Sequence, residues 1–196
     1  RAPQKAKNAI IFIGDGMGVS SITAARILAG QMKGVDGESY TLAMDTMPWS
    51  ALSKTYSHDA QIADSAATAT AMISGVKTGA RTLGLSQTVK YGNCASHEGA
   101  ETQSLFVLAE EQGLATGVVS TARITHATPA STYAMSASRN WEDNTFIKGA
   151  EEDCPDIARQ LIEWNHGDGF EIVMGGGRRH FMTTDQADPE YADKSG

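Results

Sequence analysis

Asp15, Ser65, His126, Thr128 and Arg139 are the residues whose types and settings can do chemistry. Asp15 closes the apolar run of "IIFIGDGMG" and is held between Gly14 and Gly16. An unpaired buried charge costs several kcal/mol, roughly, so a carboxylate ending an apolar run calls for a partner. A helix N-terminus, a basic side chain or a metal ion would each serve, and capping the next helix is the bland reading. Ser65 stands in "ADSAATATA", at the mouth of a helix built from small residues. Asp64 or Ser65 can act there as an ordinary N-cap. The same geometry aims N–H groups and positive dipole at a phosphate or a serine alkoxide. A nucleophilic serine needs a base or a metal to activate it, and no G-x-S-x-G elbow surrounds this one.

His126 and Thr128 fall in "ITHATPA", where a strand runs into a loop and Pro129 suits a helix start. In extended chain residues i and i+2 point the same way, so both side chains reach toward one ion. Arg139, in "SASRN", offers a guanidinium fork that matches two phosphate oxygens. Each of these residues also has an ordinary reading, as a solvated loop histidine or a surface arginine.

The elements that must position them alternate. Strand-like runs cover 9–14, 50–56, 115–121 and 170–174, with helical patterns near 18–30, 65–74, 102–112 and 155–165. Alternation of this kind predicts an α/β fold around a mostly parallel sheet, with ligands gathered at the carboxyl ends of its strands. In "CPDIARQLIEW" Pro155 opens a helix, and Ile157, Leu161 and Trp164 share one face. The segment 175–196 turns glycine-rich and then acidic, and reads as a loop. Gly14, Gly16 and Gly18 do not fit G-x-G-x-x-G, and no phosphate-loop motif occurs.

The chain has 196 residues and a formal net charge of −7, against a nucleic-acid-binding role. No apolar run is long enough to cross a bilayer, and "RAPQKAKN" lacks a signal-peptide core, so no membrane anchor is visible. Cys94 and Cys154 sit in polar sequence outside any C-x-x-C pair. Their neighbours favour a disulfide over two free thiols, and with it an oxidising compartment, periplasmic or extracellular.

Taken together, "GDGMG", "ADSAATATA", "STARITHATPA" and "SASRN", in this order and spacing, resemble the N-terminal half of an alkaline phosphatase. "CPDIARQLIEW" and "VMGGGRRHF" extend the likeness over most of residues 8–180. The resemblance implies a three-layer α/β sandwich, with residues 1–196 as the N-terminal portion of one domain. It implies hydrolysis of phosphate monoesters through a phosphoserine at Ser65, with Arg139 holding the phosphate oxygens. Asp15 matches the carboxylate that bridges a zinc ion and a third metal, and His126 and Thr128 match positions of that third site. Two Zn2+ ions and one Mg2+ are expected. The imidazole of His126, aspartate in some bacterial members, suits Zn2+ as the third ion. Cys94 and Cys154 resemble a disulfide pair of animal-type members, and family members are commonly homodimers.

The family's remaining zinc ligands lie in a C-terminal half that includes an Asp-His-Gly-His stretch, which does not occur here. His58, His97, His166 and His180 do not replace it by spacing. The expectation is therefore a truncated or partly traced enzyme, inactive as an isolated fragment, whose partner is the C-terminal half. Two rival readings stay open. One is a metal-dependent phosphodiesterase or sulfatase-type hydrolase of the same superfold, and the other is a fragment that binds phosphate without turnover.

Overall fold

A computed structural model describes residues 6–149 and 154–189. The chain divides into two compact units, Arg1–Ser53 and Lys54–Gly196. In the first, helix α1 spans Val19–Gln31. Its N-cap is Gly18, which makes no side-chain cap hydrogen bond, so the cap position does not fall on Asp15. Asp45 ties α1 to the following turn: it receives Arg26 Nη2 at 2.7 Å and the Leu42 N–H at 2.9 Å.

The expected strands over 9–14 and 50–56 are not formed. Ile10, Ile11 and Phe12 are exposed rather than buried on both faces. A strand exists only through hydrogen bonds to a neighbour, and an apolar run cannot supply its own. Asp15 follows this run in a turn, exposed, with Gly16 at φ +65°.

The second unit holds the rest: α2 (Ser65–Ser74), α3 (Leu105–Glu111), β1 (Gly117–Arg123), α4 (Ala127–Ala130), α5 (Ile157–Ile162) and β2 (Ile172–Gly176). All four expected helical segments appear. Local capping accounts for their starts, with Asp64, Ser104 and Asp156 accepting from first-turn N–H groups of α2, α3 and α5. Pro155 thus precedes the α5 cap instead of opening the helix.

β1 and β2 pair in parallel, Val118 opposite Val173 and Val119 opposite Met174. Among the described residues this is the whole sheet, so the α/β character is present with two strands. β2 runs on through Gly175 and Gly176, and Arg178–Phe181 form a 3-10 turn, where the sequence reads as loop. The glycines let the strand ends approach. A Cβ on Gly175 would lie 3.2 Å from the Ala122 carbonyl, and Gly177 sits at φ +89°. The end of the expected loop, 190–196, lies outside the described residues.

Two apolar clusters support these elements. Ala66 of α2 packs with Leu83, Ala127, Ala130, Tyr133 and Ile157, and Leu161 and Trp164 lie against them. The α5 face expected from its periodicity therefore points inward. Around Trp141, a second cluster gathers Leu85, Ala137, Ile147 and Cys154. Cys94 and Cys154 form a disulfide.

Candidate active site

The site begins at the N-terminus of α2. Asp64, not Ser65, is the cap: its carboxylate accepts from the N–H groups of Ala66 and Ala67, both at 3.3 Å. Those N–H groups are therefore engaged by protein, which leaves the dipole but not the free donors expected at Ser65. Ser65 is the first helical residue, half-buried, with its hydroxyl released from capping. The small residues behind it allow this placement, because Ala66, Ala67 and Ala69 are buried against their neighbours.

Arg139 arrives from the loop before Trp141. Its Nη1 donates to Asp64 Oδ2 at 2.8 Å and to Ser65 Oγ at 2.9 Å. Its Nη2 lies 3.0 Å from His126 Nε2. Guanidinium has donors only, so this contact is a hydrogen bond when Nε2 accepts. Asp64 is held below the usual carboxylate range. Burial opposes its charge, but the Arg81 N–H and the Arg139 guanidinium outweigh that cost.

Arg81 was not legible as a site residue. Its N–H donates to Asp64 Oδ1 at 2.9 Å, and its carbonyl accepts the Arg139 N–H at 2.8 Å. It does this at φ +68°, the one described non-glycine residue with positive φ. One residue in the left-handed region therefore holds both members of the ion pair, through the N–H before its Cα and the carbonyl after it.

His126 is the N-cap residue of α4, three residues beyond the end of β1. Thr128 is the second residue of that helix, which corrects the extended-chain argument for its direction. Pro129 lacks an N–H and costs nothing in a first turn, so the chain coils at Ala127 instead of staying extended. Ser65, His126 and Arg139 are thus brought together, with Thr128 two residues along from His126. Asp15 belongs to the first unit.

A carboxylate, a hydroxyl and an imidazole surround one cation here, the Arg139 guanidinium. In kind, these donors suit a divalent ion. In number they fall short, since no group of three or more His, Cys, Asp or Glu among the described residues could hold a metal. The arrangement can present a serine oxygen beside a phosphate-binding fork.

The alkaline phosphatase family model matches residues 6–196. The chain is 46% identical over 188 residues to a tissue-nonspecific alkaline phosphatase of Gallus gallus, covering 95% of this chain and 36% of that protein. It therefore spans about a third of the length of such relatives. Among solved structures, the Thermus thermophilus alkaline phosphatase superposes with a TM-score of 0.65 at 28% identity, over 91% of this chain and 32% of that one. A histidine-to-glutamate variant of the TAB5 alkaline phosphatase, with Mg bound in its M3 site, gives a TM-score of 0.53 at 30% identity. It covers 67% of this chain and 32% of that one.

Proposed function

The chain belongs to the alkaline phosphatase family, and from that premise we propose that the complete protein hydrolyses phosphate monoesters through a phosphoserine at Ser65. The observation that carries this reading is the Arg139 fork, which donates to Ser65 Oγ and Asp64 at once. A monoester phosphate entering here exchanges the Arg139 contacts to Ser65 and His126 for contacts to its own oxygens. Ser65 Oγ then forms a bond to phosphorus as the ester bond breaks. The alcohol leaves with a proton, and the serine proton passes to solvent. Water attacks the phosphoserine next, inorganic phosphate departs and the hydroxyl is restored. Through both steps Arg139 offsets charge on the non-bridging oxygens, and Asp64 keeps the fork aimed.

Asp15, Ser65, His126 and Thr128 are the residues of this chain that we assign to metals, with the remaining ligands in the C-terminal half. When bound, two Zn2+ and one Mg2+ or Zn2+ would activate the serine and water oxygens and stabilise the charge of the transferring group. The TAB5 variant with Mg in its M3 site supports such a third position. The same reading makes residues 1–196 the N-terminal portion of one three-layer α/β domain in an exported homodimer. The disulfide supports an oxidising compartment.

The test is Ser65→Ala in the full-length protein, followed by activity and intact-mass detection of phosphoenzyme at low pH. Loss of both supports the assignment, and near-parental turnover removes Ser65 from the mechanism.

A further inference from the structure

Glu142 lies outside every residue assigned above, yet its carboxylate joins the two loops that meet at the site. Arg123, at the end of β1, donates to it twice, Nε to Oε2 at 2.7 Å and Nη2 to Oε1 at 2.6 Å. Thr125 Oγ1 donates to Oε2 at 2.6 Å. His180, from the turn after β2, places Nε2 at 3.1 Å from the same oxygen, and its Nδ1 lies 2.5 Å from Asp143. The His180 side chain is almost fully buried, 1% exposed, and that of Glu142 is 12% exposed. The Glu142 carbonyl is also taken, accepting the Ala158 N–H of α5 at 3.0 Å.

Thr125 immediately precedes His126, and Glu142 follows Arg139 by three residues. The carboxylate therefore ties the backbone that carries the imidazole to the backbone that carries the guanidinium, two groups 3.0 Å apart. Geometry of this kind decides rate, because displacements near an ångström at a reacting centre are costly. Among the described residues, the partners of the Glu142 carboxylate are Arg123, Thr125 and His180, not Ser65.

We propose that Glu142 is a positioning residue for the phosphate site, holding His126 and Arg139 in mutual register through Thr125, Arg123 and His180. The proposal rests on the reading that Ser65 accepts the phosphoryl group. Glu142→Gln keeps the volume but turns an N–H2 toward the Arg123 or Thr125 donors, which breaks part of the tie. Thr125→Val removes one hydroxyl at nearly constant volume and tests the His126 arm alone.

The experiment uses the full-length protein and reads kcat and KM for p-nitrophenyl phosphate, inorganic phosphate affinity by calorimetry, and the thermal melt. Glu142→Gln is expected to lower kcat by about tenfold and to weaken phosphate binding, as supporting partners of a site commonly do. Thr125→Val should shift the same quantities in the same direction by less. A merely structural network lowers the melting temperature and leaves kcat per folded molecule and phosphate affinity unchanged, and that result in both variants overturns the proposal. If Glu142→Gln does not fold, Thr125→Val decides alone. Ser65→Ala serves as the control. A dead control beside parental Glu142 and Thr125 variants defeats this proposal only, whereas an active control defeats the underlying reading and the proposal with it.

Discussion

Asp64 and Arg139 form an ion pair at 2.8 Å, and the same carboxylate caps α2. The two duties are separable because they use different donors. Backbone N–H groups of α2 need only an oxygen acceptor, whereas the guanidinium gains from its charge. Ser65 is thereby spared a structural role and left to face Nη1 of Arg139.

Asp64→Asn should therefore separate stability from activity. One amide oxygen can keep only part of the cap, because both carboxylate oxygens accept backbone N–H groups, so the melt should fall modestly and by less than in Asp64→Ala. Without the negative partner Arg139 loses its orientation, and kcat/KM should fall by about tenfold. Asp64→Ala removes the cap as well and should cost a further 1–2 kcal/mol, roughly, in denaturant unfolding. Equal activity losses without a stability difference would contradict this division.

Arg139→Lys preserves charge but not the planar fork. Each charge-assisted hydrogen bond contributes about 1.5–3 kcal/mol, so losing one should weaken phosphate inhibition by about tenfold or more. The inhibition constant of inorganic phosphate, measured on the full-length protein, checks this.

Arg81 acts through its backbone. Arg81→Gly keeps both hydrogen bonds and relieves the φ of +68°. Kinetic constants should stay near parental values, and stability should rise by about 1 kcal/mol at most, strain released less added chain entropy. A large activity loss would assign a role to the guanidinium itself.

The Glu142, Asp143 and His180 cluster sets a pH window. Burial disfavours ionised Glu142 and Asp143, but hydrogen bonds from His180, Arg123 and the threonines outweigh it and lower both pKa values. Their contribution is present above the ordinary carboxylate range and is lost as pH falls through the depressed values. For His180, burial opposes the charge, yet Glu142 and Asp143 raise its pKa above 6.5. Its contribution is complete below 6.5 and is lost as pH rises through the raised value. Asp156 also faces Asp143 and is pushed up, chiefly by its own burial. Chemical denaturation across pH should show the cluster at full strength between about 4.5 and 6.5. In His180→Gln the decline above that window should flatten.

The disulfide closes a separation of 60 residues. Loop entropy assigns it about 4 kcal/mol, so reduction should lower the unfolding midpoint markedly. Thiol titration of the denatured, unreduced protein should find no reactive cysteine.

The sequence by itself determined what depends on neighbours a few residues apart. Asp64 before a run of alanines and threonines starts α2, and the Ile157, Leu161 and Trp164 spacing turns α5 inward, because helices draw their hydrogen bonds from within. Ser65, His126 and Arg139 were legible as candidates by type, at element ends, whereas Asp64 was legible only as a cap and Asp15, the acid expected among them, lies in the first unit. Tertiary structure alone decided how they are used. Asp64 and Arg139 are 75 residues apart in the chain, and the Thr116 N–H, just before β1, donates to the Glu171 carboxylate, just before β2, across 55 residues, so no local pattern encodes either bond. The same holds for His180 against Glu142, and for Arg81, whose backbone strain is set by the two groups it binds. Ile10 to Ile13 mark the limit of local reading, since an apolar run states that a strand is affordable while only a paired neighbour makes it one.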